Sequence, residues 1–419
     1  VHRENAVPFW QRPFGYAHAL VIIASLTVVG FLLELVTTLL PWRSSGQGVR
    51  VPPFPYNLIF LLGFVAGVIS LRLMPGPRRI SDGLVRIPFA VVASIALALL
   101  VVIPGVFPGE LVRATVFGRF GLGHVTQSWP YALLVLVICA SLLSVAVKKV
   151  RMRSWQQWPS MLNHGGLFII LAAGSMSAGD YRSLRLAAYL DRPVTTAYRE
   201  ADRRVVASPL QFRLDRFVLE YYPPKLVFFD EHGRIVNRKR SRGRWDVAPG
   251  EHYSFRQYRV SVRHYLPHAV MDKTRGRPVA RQGGQPYAKL AVSGGEEGEA
   301  PLQGWVTLAH AADRRSFLAL NGVRVALQRG GHKRYASHIT MADGRKRIVE
   351  VNRPLRVDGW TLYQYGYDTK AGVRSRYSVI QAVHDPWLPV VYSGFVCLIA
   401  GVCGMVWQRR RLLGTGGRI

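Results

Sequence analysis

Apolar residues along this chain gather into six long runs, at 16–40, 56–74, 87–107, 131–147, 161–178 and 388–407. A helix needs about 20 apolar residues to cross a hydrocarbon core about 30 Å thick, with about 17 as the lower bound. Each run therefore predicts a membrane-spanning helix. The runs at 131–147 and 161–178 sit at the limit, and the second is diluted by Gly165, Gly166, Gly174 and Ser175; length alone leaves a buried or re-entrant helix open for these two. Trp155 and Trp158 before the fifth run, and Trp387 and Tyr392 at the sixth, suit an aromatic belt at the membrane surface. The first run exceeds a signal peptide's apolar stretch and lacks a small-residue cleavage site, so it is expected to stay on the protein as an uncleaved span.

The pattern changes between the fifth and sixth runs. Residues 212–219, 258–265 and 347–351 alternate polar and apolar side chains, the period of a strand with one buried face. Turn residues separate such stretches: Asp230-Glu231-His232-Gly233, Ala248-Pro249-Gly250, Asp343-Gly344 and Asp358-Gly359. Asp358-Gly359-Trp360 reads as a turn feeding a strand, with Trp360 in the core, and residues 293–299 read as an acidic loop. The predicted fold class is a membrane α-helical bundle of six transmembrane helices with a large extracytoplasmic β-rich, sandwich-like domain. The predicted boundaries are 1–180 for the five-span region, 181–386 for the β-rich domain, and 387–419 for the last helix with a basic tail.

Length agrees with this division, because 419 residues exceed what a single soluble core accommodates. Charge then gives the division a direction. Positive residues of short connections stay on the cytoplasmic side. With the N-terminus inside, the inner segments hold Arg3, Arg12, Arg72, Arg78, Arg79, Arg86, Lys148, Lys149, Arg151, Arg153, Arg409, Arg410, Arg411 and Arg418, and the outer ones only Arg43, Arg50, Arg113 and Arg119. Both termini are thus predicted inside and residues 181–386 outside. That domain holds 37 Lys and Arg against 19 Asp and Glu. The excess reads either as a solvated basic surface resting on anionic membrane lipids or as a surface for an acidic partner. Nucleic acid is not expected on the outer face.

Cys139, Cys397 and Cys403 all fall inside membrane runs. The β-rich domain has no structural disulfide, and the chain has neither a C-x-x-C redox pair nor a C-x-x-C-H haem attachment site. It is neither a thiol oxidoreductase nor a c-type cytochrome. Ionisable groups inside a membrane are costly and usually functional or paired. Two of the twelve histidines are read as lying there, His18 and His164. His164 stands in Asn163-His164-Gly165-Gly166, where small neighbours give a flat macrocycle or another helix close access, and neutral imidazole is a common haem-iron ligand. The residues alone leave it open whether His164 is a ligand or a hydrated interfacial histidine, and His18, with bulkier neighbours, is the second candidate. His264 and His268 lie on a strand interrupted by Pro267, about 13 Å apart at about 3.3 Å per residue, too far to share a metal. No H-E-x-x-H, G-x-S-x-G or phosphate-binding glycine loop occurs.

Several segments, in order, resemble ResB/CcsB cytochrome c biogenesis proteins: Leu162-Asn163-His164-Gly165-Gly166-Leu167-Phe168 with Ala178-Gly179-Asp180-Tyr181-Arg182; Tyr221-Tyr222-Pro223-Pro224-Lys225-Leu226; Val351-Asn352-Arg353-Pro354-Leu355 with Gly359-Trp360-Thr361-Leu362-Tyr363-Gln364; and Asp385-Pro386-Trp387-Leu388-Pro389-Val390-Val391-Tyr392-Ser393-Gly394. The resemblance implies a subunit of the system II complex in the bacterial inner membrane. With a CcsA/ResC-type membrane partner, that complex carries haem b outward and attaches it to apocytochrome c. It also implies that His164 is an axial haem-iron ligand and that the partner supplies the second. The Trp-Trp-Asp haem-handling segment belongs to that partner and is missing here, so this chain is expected to be a non-catalytic subunit of the haem lyase complex, its outer domain a docking surface without an enzyme site. The competing reading is a membrane-anchored extracytoplasmic binding or sensing protein without haem. A third, a b-type cytochrome using His18 and His164, is disfavoured because both histidines lie near the inner surface.

Overall fold

The computed structural model describes residues 14–39, 48–74, 82–107, 109–113, 115–152, 154–236, 245–272, 274–281, 283–294, 301–308 and 317–415. Gly295 and most of the acidic loop, the charge run at 237–244, and Arg3, Arg12, Arg43, Arg78, Arg79, Arg153 and Arg418 of the predicted orientation lie outside the described residues. The chain divides into two compact units, Val1–Arg182 with His384–Ile419, and Ser183–Val383.

The first unit is helical. Its long helices are α1 (Tyr16–Leu39), α2 (Tyr56–Leu73), α3 (Ile87–Val106), α4 (Trp129–Arg151), α5 (Trp158–Asp180) and α6 (Leu388–Thr415). All six are long and apolar enough to cross a membrane, and the protein is a multi-pass membrane protein. The two runs that sat at the length limit belong to full-length helices of 23 residues each. They read short because α4 continues through Lys148, Lys149 and Arg151, whose long side chains can reach the interface, and because α5 starts at Trp158, with Pro159 fitting its first turn. Ala19 and Ile23 of α1, Phe89, Ala93 and Leu100 of α3, and Leu134 of α4 form one buried cluster with Val125. Val125 belongs to the connection between α3 and α4, which folds into three short helical turns, Gly109–Arg113, Val116–Phe120 and Leu122–Gln127.

Helices α5 and α6 pack through glycines. A Cβ on Gly166 would lie 2.7 Å from Gly394 O and Leu398 N, and one on Gly401 would lie 2.7 Å from Asn163 N and Pro159 O. Only hydrogen fits at these positions, the small-residue contact that lets membrane helices approach backbone to backbone.

The second unit is built of antiparallel sheets. The largest runs in the spatial order Leu355–Val357, Trp360–Tyr367, Tyr377–His384, Arg182–Tyr189, Thr196–Arg199, Arg204–Ala207. A five-stranded sheet places Tyr258–Asp272 beside Gln285–Ser293, and two three-stranded sheets centre on Val323–Gln328 and His332–Met341. The alternation predicted at 212–219 is realised in Phe212–Tyr221, where Phe212, Leu214, Phe217 and Leu219 are buried. Asp358 (φ 49°) and Gly359 (φ 77°) form the two-residue hairpin loop that pairs Val357 with Trp360, and Trp360 packs against the core as expected. Two cores fill the unit: Leu186, Leu214, Ile339, Leu362 and Ile380 anchor one, Phe228, Val260, Leu290 and Leu327 the other. In the buried polar group of Ser337, Gln364 and Ser378, the Ser337 hydroxyl donates to Gln364 Oε1 (2.6 Å) and Gln364 Nε2 to Ser378 Oγ (2.8 Å).

Candidate functional site

His164 is the seventh residue of α5, so it lies about 9 Å along the helix axis from its first residue at 1.5 Å per residue. Its ring Nδ1 is 2.7 Å from the carbonyl oxygen of Ser160, one turn back. A carbonyl only accepts, so Nδ1 carries a proton, and in a neutral imidazole the lone pair is then on Nε2. Metal-binding histidines are commonly oriented this way, one nitrogen donating to a carbonyl while the other faces the metal. Next to it, a Cβ on Gly165 would meet nothing within 4 Å, whereas Gly166 is closed against α6. The paired glycines thus serve different ends: one seals a helix contact, the other leaves the flank beside His164 open.

His18 has the opposite arrangement. The backbone N–H of Gly15 donates to its Nδ1 at 3.4 Å, and its ring stacks on Phe14 with centroids 5.7 Å apart. With Nδ1 accepting, the neutral ring holds its proton on Nε2, and the side chain works as a cap on an otherwise unsatisfied amide at the start of α1. His18 stands beside Ala19 in the cluster of α1, α3 and α4, and His164 is on the helix that packs against α6.

Two of the resembling segments, both in the first unit, meet in space at the other end of α5. Asp180 Oδ2 accepts from Asn57 Nδ2 and from the indole N–H of Trp387, both at 2.7 Å, and its Oδ1 accepts from the backbone N–H of Phe54 at 2.8 Å. Ser177 Oγ donates to Asp385 Oδ1 at 2.9 Å. Gly179 allows the close pass of Pro52, whose carbonyl a Cβ there would overlap. Ala178-Gly179-Asp180 and Asp385-Pro386-Trp387 therefore tie α5, α2 and the start of α6 into one frame, with Gly166 against Gly394 as a second tie. Trp387, read from the sequence as a member of the interfacial belt, also has this specific bond.

A further buried site escaped the sequence reading, which counted only two histidines in the membrane part. Glu34, inside α1, is fully buried, and His124, from the connection between α3 and α4, is 6% exposed; Glu34 Oε1 and His124 Nε2 are 3.3 Å apart. Glu34 Oε2 accepts from the backbone N–H of Trp129 at 2.9 Å. Gly121, in the left-handed region at φ 77°, makes room, since a Cβ there would lie 2.9 Å from Glu34 Cγ. His124 Nδ1 is buried with no hydrogen-bond partner among the described residues. The signal in the sequence was the acid, not the histidine: a carboxylate inside a 24-residue apolar helix demands a partner. Among the described residues no group of three or more His, Cys, Asp or Glu side chains could hold a metal ion.

The ResB-like family model matches residues 311–375. No curated protein matches the chain. Among solved structures, one titled Cytochrome c Heme Lyase CcmF aligns with 94% of this chain and 46% of its own, at 13% identity and a TM-score of 0.25. The chain thus spans about half the length of that structure.

Proposed function

We propose, starting from the premise that this is a ResB-like chain, that it serves cytochrome c biogenesis by holding haem through His164 and presenting it with a second membrane protein. The observation that carries this reading is the contact of His164 Nδ1 with Ser160 O at 2.7 Å, which engages that nitrogen and leaves Nε2 as the ligating atom. The open flank at Gly165 gives a flat macrocycle room to approach. Iron bound there needs a second axial ligand, and the CcsA/ResC-type partner implied by the resemblance is its source. Haem is cargo in this scheme, and apocytochrome c is its acceptor. The orientation rests on the charge bias, with the termini cytoplasmic and residues 181–386 on the extracytoplasmic side of a bacterial inner membrane.

The test is the haem spectrum of the complex purified with its membrane partner. His164→Ala loses the Soret band or converts it to a five-coordinate form, cytochrome c maturation falls, and added imidazole restores part of both by supplying the missing ligand. His18→Ala changes neither. An unaltered spectrum in His164→Ala removes the assignment.

A further inference from the structure

The Tyr221-Tyr222-Pro223-Pro224 segment has no part in the His164 site, yet it lines a cleft of about 790 Å³ in the second unit. Small-molecule sites typically span about 300–1,000 Å³. The cleft opens where Phe212–Tyr221 gives way to the two prolines and where Tyr258–Asp272 shifts register between Leu266 and Ala269, around Pro267. Gly330 closes its floor, since a Cβ there would overlap the carbonyl oxygen of Tyr222. Flat apolar surfaces come from Tyr222, Tyr265, Pro224 and Pro267.

Four cations share this space: Arg329, Lys333, Lys370 and Arg374. Among the described residues Glu220 is the one carboxylate lining the cleft, and it is taken by Lys333 (4.0 Å) and Arg334 (3.7 Å). Asp368, close by, accepts from the backbone N–H groups of Lys370 and Ala371 and so holds the turn. Arg329 lies over the Tyr221 ring at 5.0 Å, and among the described residues Arg329, Lys370 and Arg374 have no carboxylate partner. Elsewhere in the unit some arginines pair with acids, as in Arg345 with Asp343, Arg234 with Asp230, and Arg334 with Glu350, and the excess of Lys and Arg over Asp and Glu leaves others without one; what sets Arg329, Lys370 and Arg374 apart is that they gather in one concavity. Positive charge left unpaired over flat apolar walls fits a flat anion better than a solvated surface, because such a concavity focuses its field on an incoming ligand. Arg329, Gly330, Lys333 and the turn 369–374 also lie within the stretch matched by the ResB-like model.

We infer that this cleft binds a planar, carboxylate-bearing macrocycle, a tetrapyrrole whose acid groups meet Arg329, Lys370 and Arg374 while its ring lies on Tyr222 and Tyr265. The choice of a tetrapyrrole rests on the haem reading above; the preference for a flat polyanion does not. His268 also opens on the cleft, so metal-free porphyrins isolate the contribution of the acid groups from any bond to iron.

The test uses the full chain in lipid nanodiscs, with empty nanodiscs subtracted, and follows the fluorescence anisotropy of metal-free coproporphyrin, which carries four carboxylates. A tetracationic N-methylpyridyl porphyrin of the same ring serves as the counter-probe, and citrate as a non-planar competitor. The expected result is binding of the anionic porphyrin only, weak competition by citrate, and a loss of affinity of about tenfold or more in Arg329→Gln/Lys370→Gln/Arg374→Gln, as removal of charge-assisted hydrogen bonds produces. Should the triple variant not fold, Lys370→Glu at an exposed position gives the same direction alone. Equal binding of both porphyrins, full displacement by citrate, or unchanged affinity in folded variants overturns the inference. His164→Ala leaves coproporphyrin binding intact, and the triple variant leaves the His164-dependent haem band intact, so either assignment can fail without the other.

Discussion

In the helical unit Leu20, Leu32, Ile59 and Leu99 point outward, 54–66% exposed, whereas in the β unit Leu186, Leu214, Leu226 and Leu362 are 0% exposed. The helical unit is apolar outside because its solvent is lipid, and apolar surface gains nothing there by turning inward. What holds its helices together must therefore be something else. The contacts are close side-chain packing, as among Ile23, Phe89 and Leu134, glycine against backbone, as at Gly166 and Gly394, and a few polar ties, Glu34 with His124 and Asp180 with Asn57 and Trp387. The β unit relies on removing apolar area from water, at about 25 cal/mol per Å², and its buried polar group of Ser337, Gln364 and Ser378 is satisfied among its own side chains and by the carbonyl of Gly366. One chain thus carries two different stabilising schemes, and substitutions should separate them.

The largest effect is expected where the helical unit has no slack. Gly166→Leu places a branched side chain where even a Cβ is 2.7 Å from the backbone of α6, so the helices must part, costing more than about 3 kcal/mol, the upper end of ordinary overpacking. Gly165→Ala, one residue away and facing open space, should be neutral or stabilising by up to about 1 kcal/mol through helix propensity. The fraction of monodisperse protein surviving a heating series in detergent distinguishes them. Equal tolerance of both substitutions would show that α5 and α6 are not held by this contact.

Glu34→Ala comes next. It leaves His124 and the Trp129 amide without their acceptor, and breaking a buried pair from one side typically costs about 3–5 kcal/mol. The double variant Glu34→Ala/His124→Leu should recover part of that loss, because an apolar pair needs no partner in a dry interior. The same heating series reads both. A double variant no better than the single one would mean that the pair does not act as a unit.

These two sites also mark how far the sequence could be read. Spans were legible because run length is a local property: the apolar stretches at 16–40 and 87–107 coincide with α1 and α3 to within a residue. Alternation in 212–219 was equally local. His164 could be singled out as an imidazole among glycines, but its bond to Ser160 depends on a helix carbonyl that only a folded backbone places. Glu34 and His124 are 90 residues apart, and their meeting requires the connection between α3 and α4 to fold back on α1, a step that periodicity does not encode. The cleft is further still from local signals, since it joins five separate segments, and Tyr221-Tyr222-Pro223-Pro224 carries no motif chemistry until Arg329 and Arg374 share its cleft.

The smallest expected effect is in the β unit, and it tests whether a titrating group matters in a core built on area burial. His338 is half-buried on strand His332–Met341, opposite Arg216. Burial, then the positive charges of Arg216 and Arg334, pushes its pKa below the usual 6.5, against a weaker pull upward from Asp215 and Glu350. A histidine with a lowered folded pKa binds its proton more readily when unfolded. Its contribution is therefore fully present above about pH 6.5, declines as pH falls from there toward the folded pKa, and is constant below it. His338→Gln should flatten that part of the stability profile and leave stability near pH 8 nearly unchanged. Guanidinium titration of the β-sheet signal between pH 5 and pH 8, parent against variant, gives the difference directly. The change should be small because the neighbouring carboxylates oppose the shift and partial exposure screens the charges. A parent and variant with parallel profiles would mean that His338 titrates alike in both states, and that the β unit's stability is insensitive to its charge.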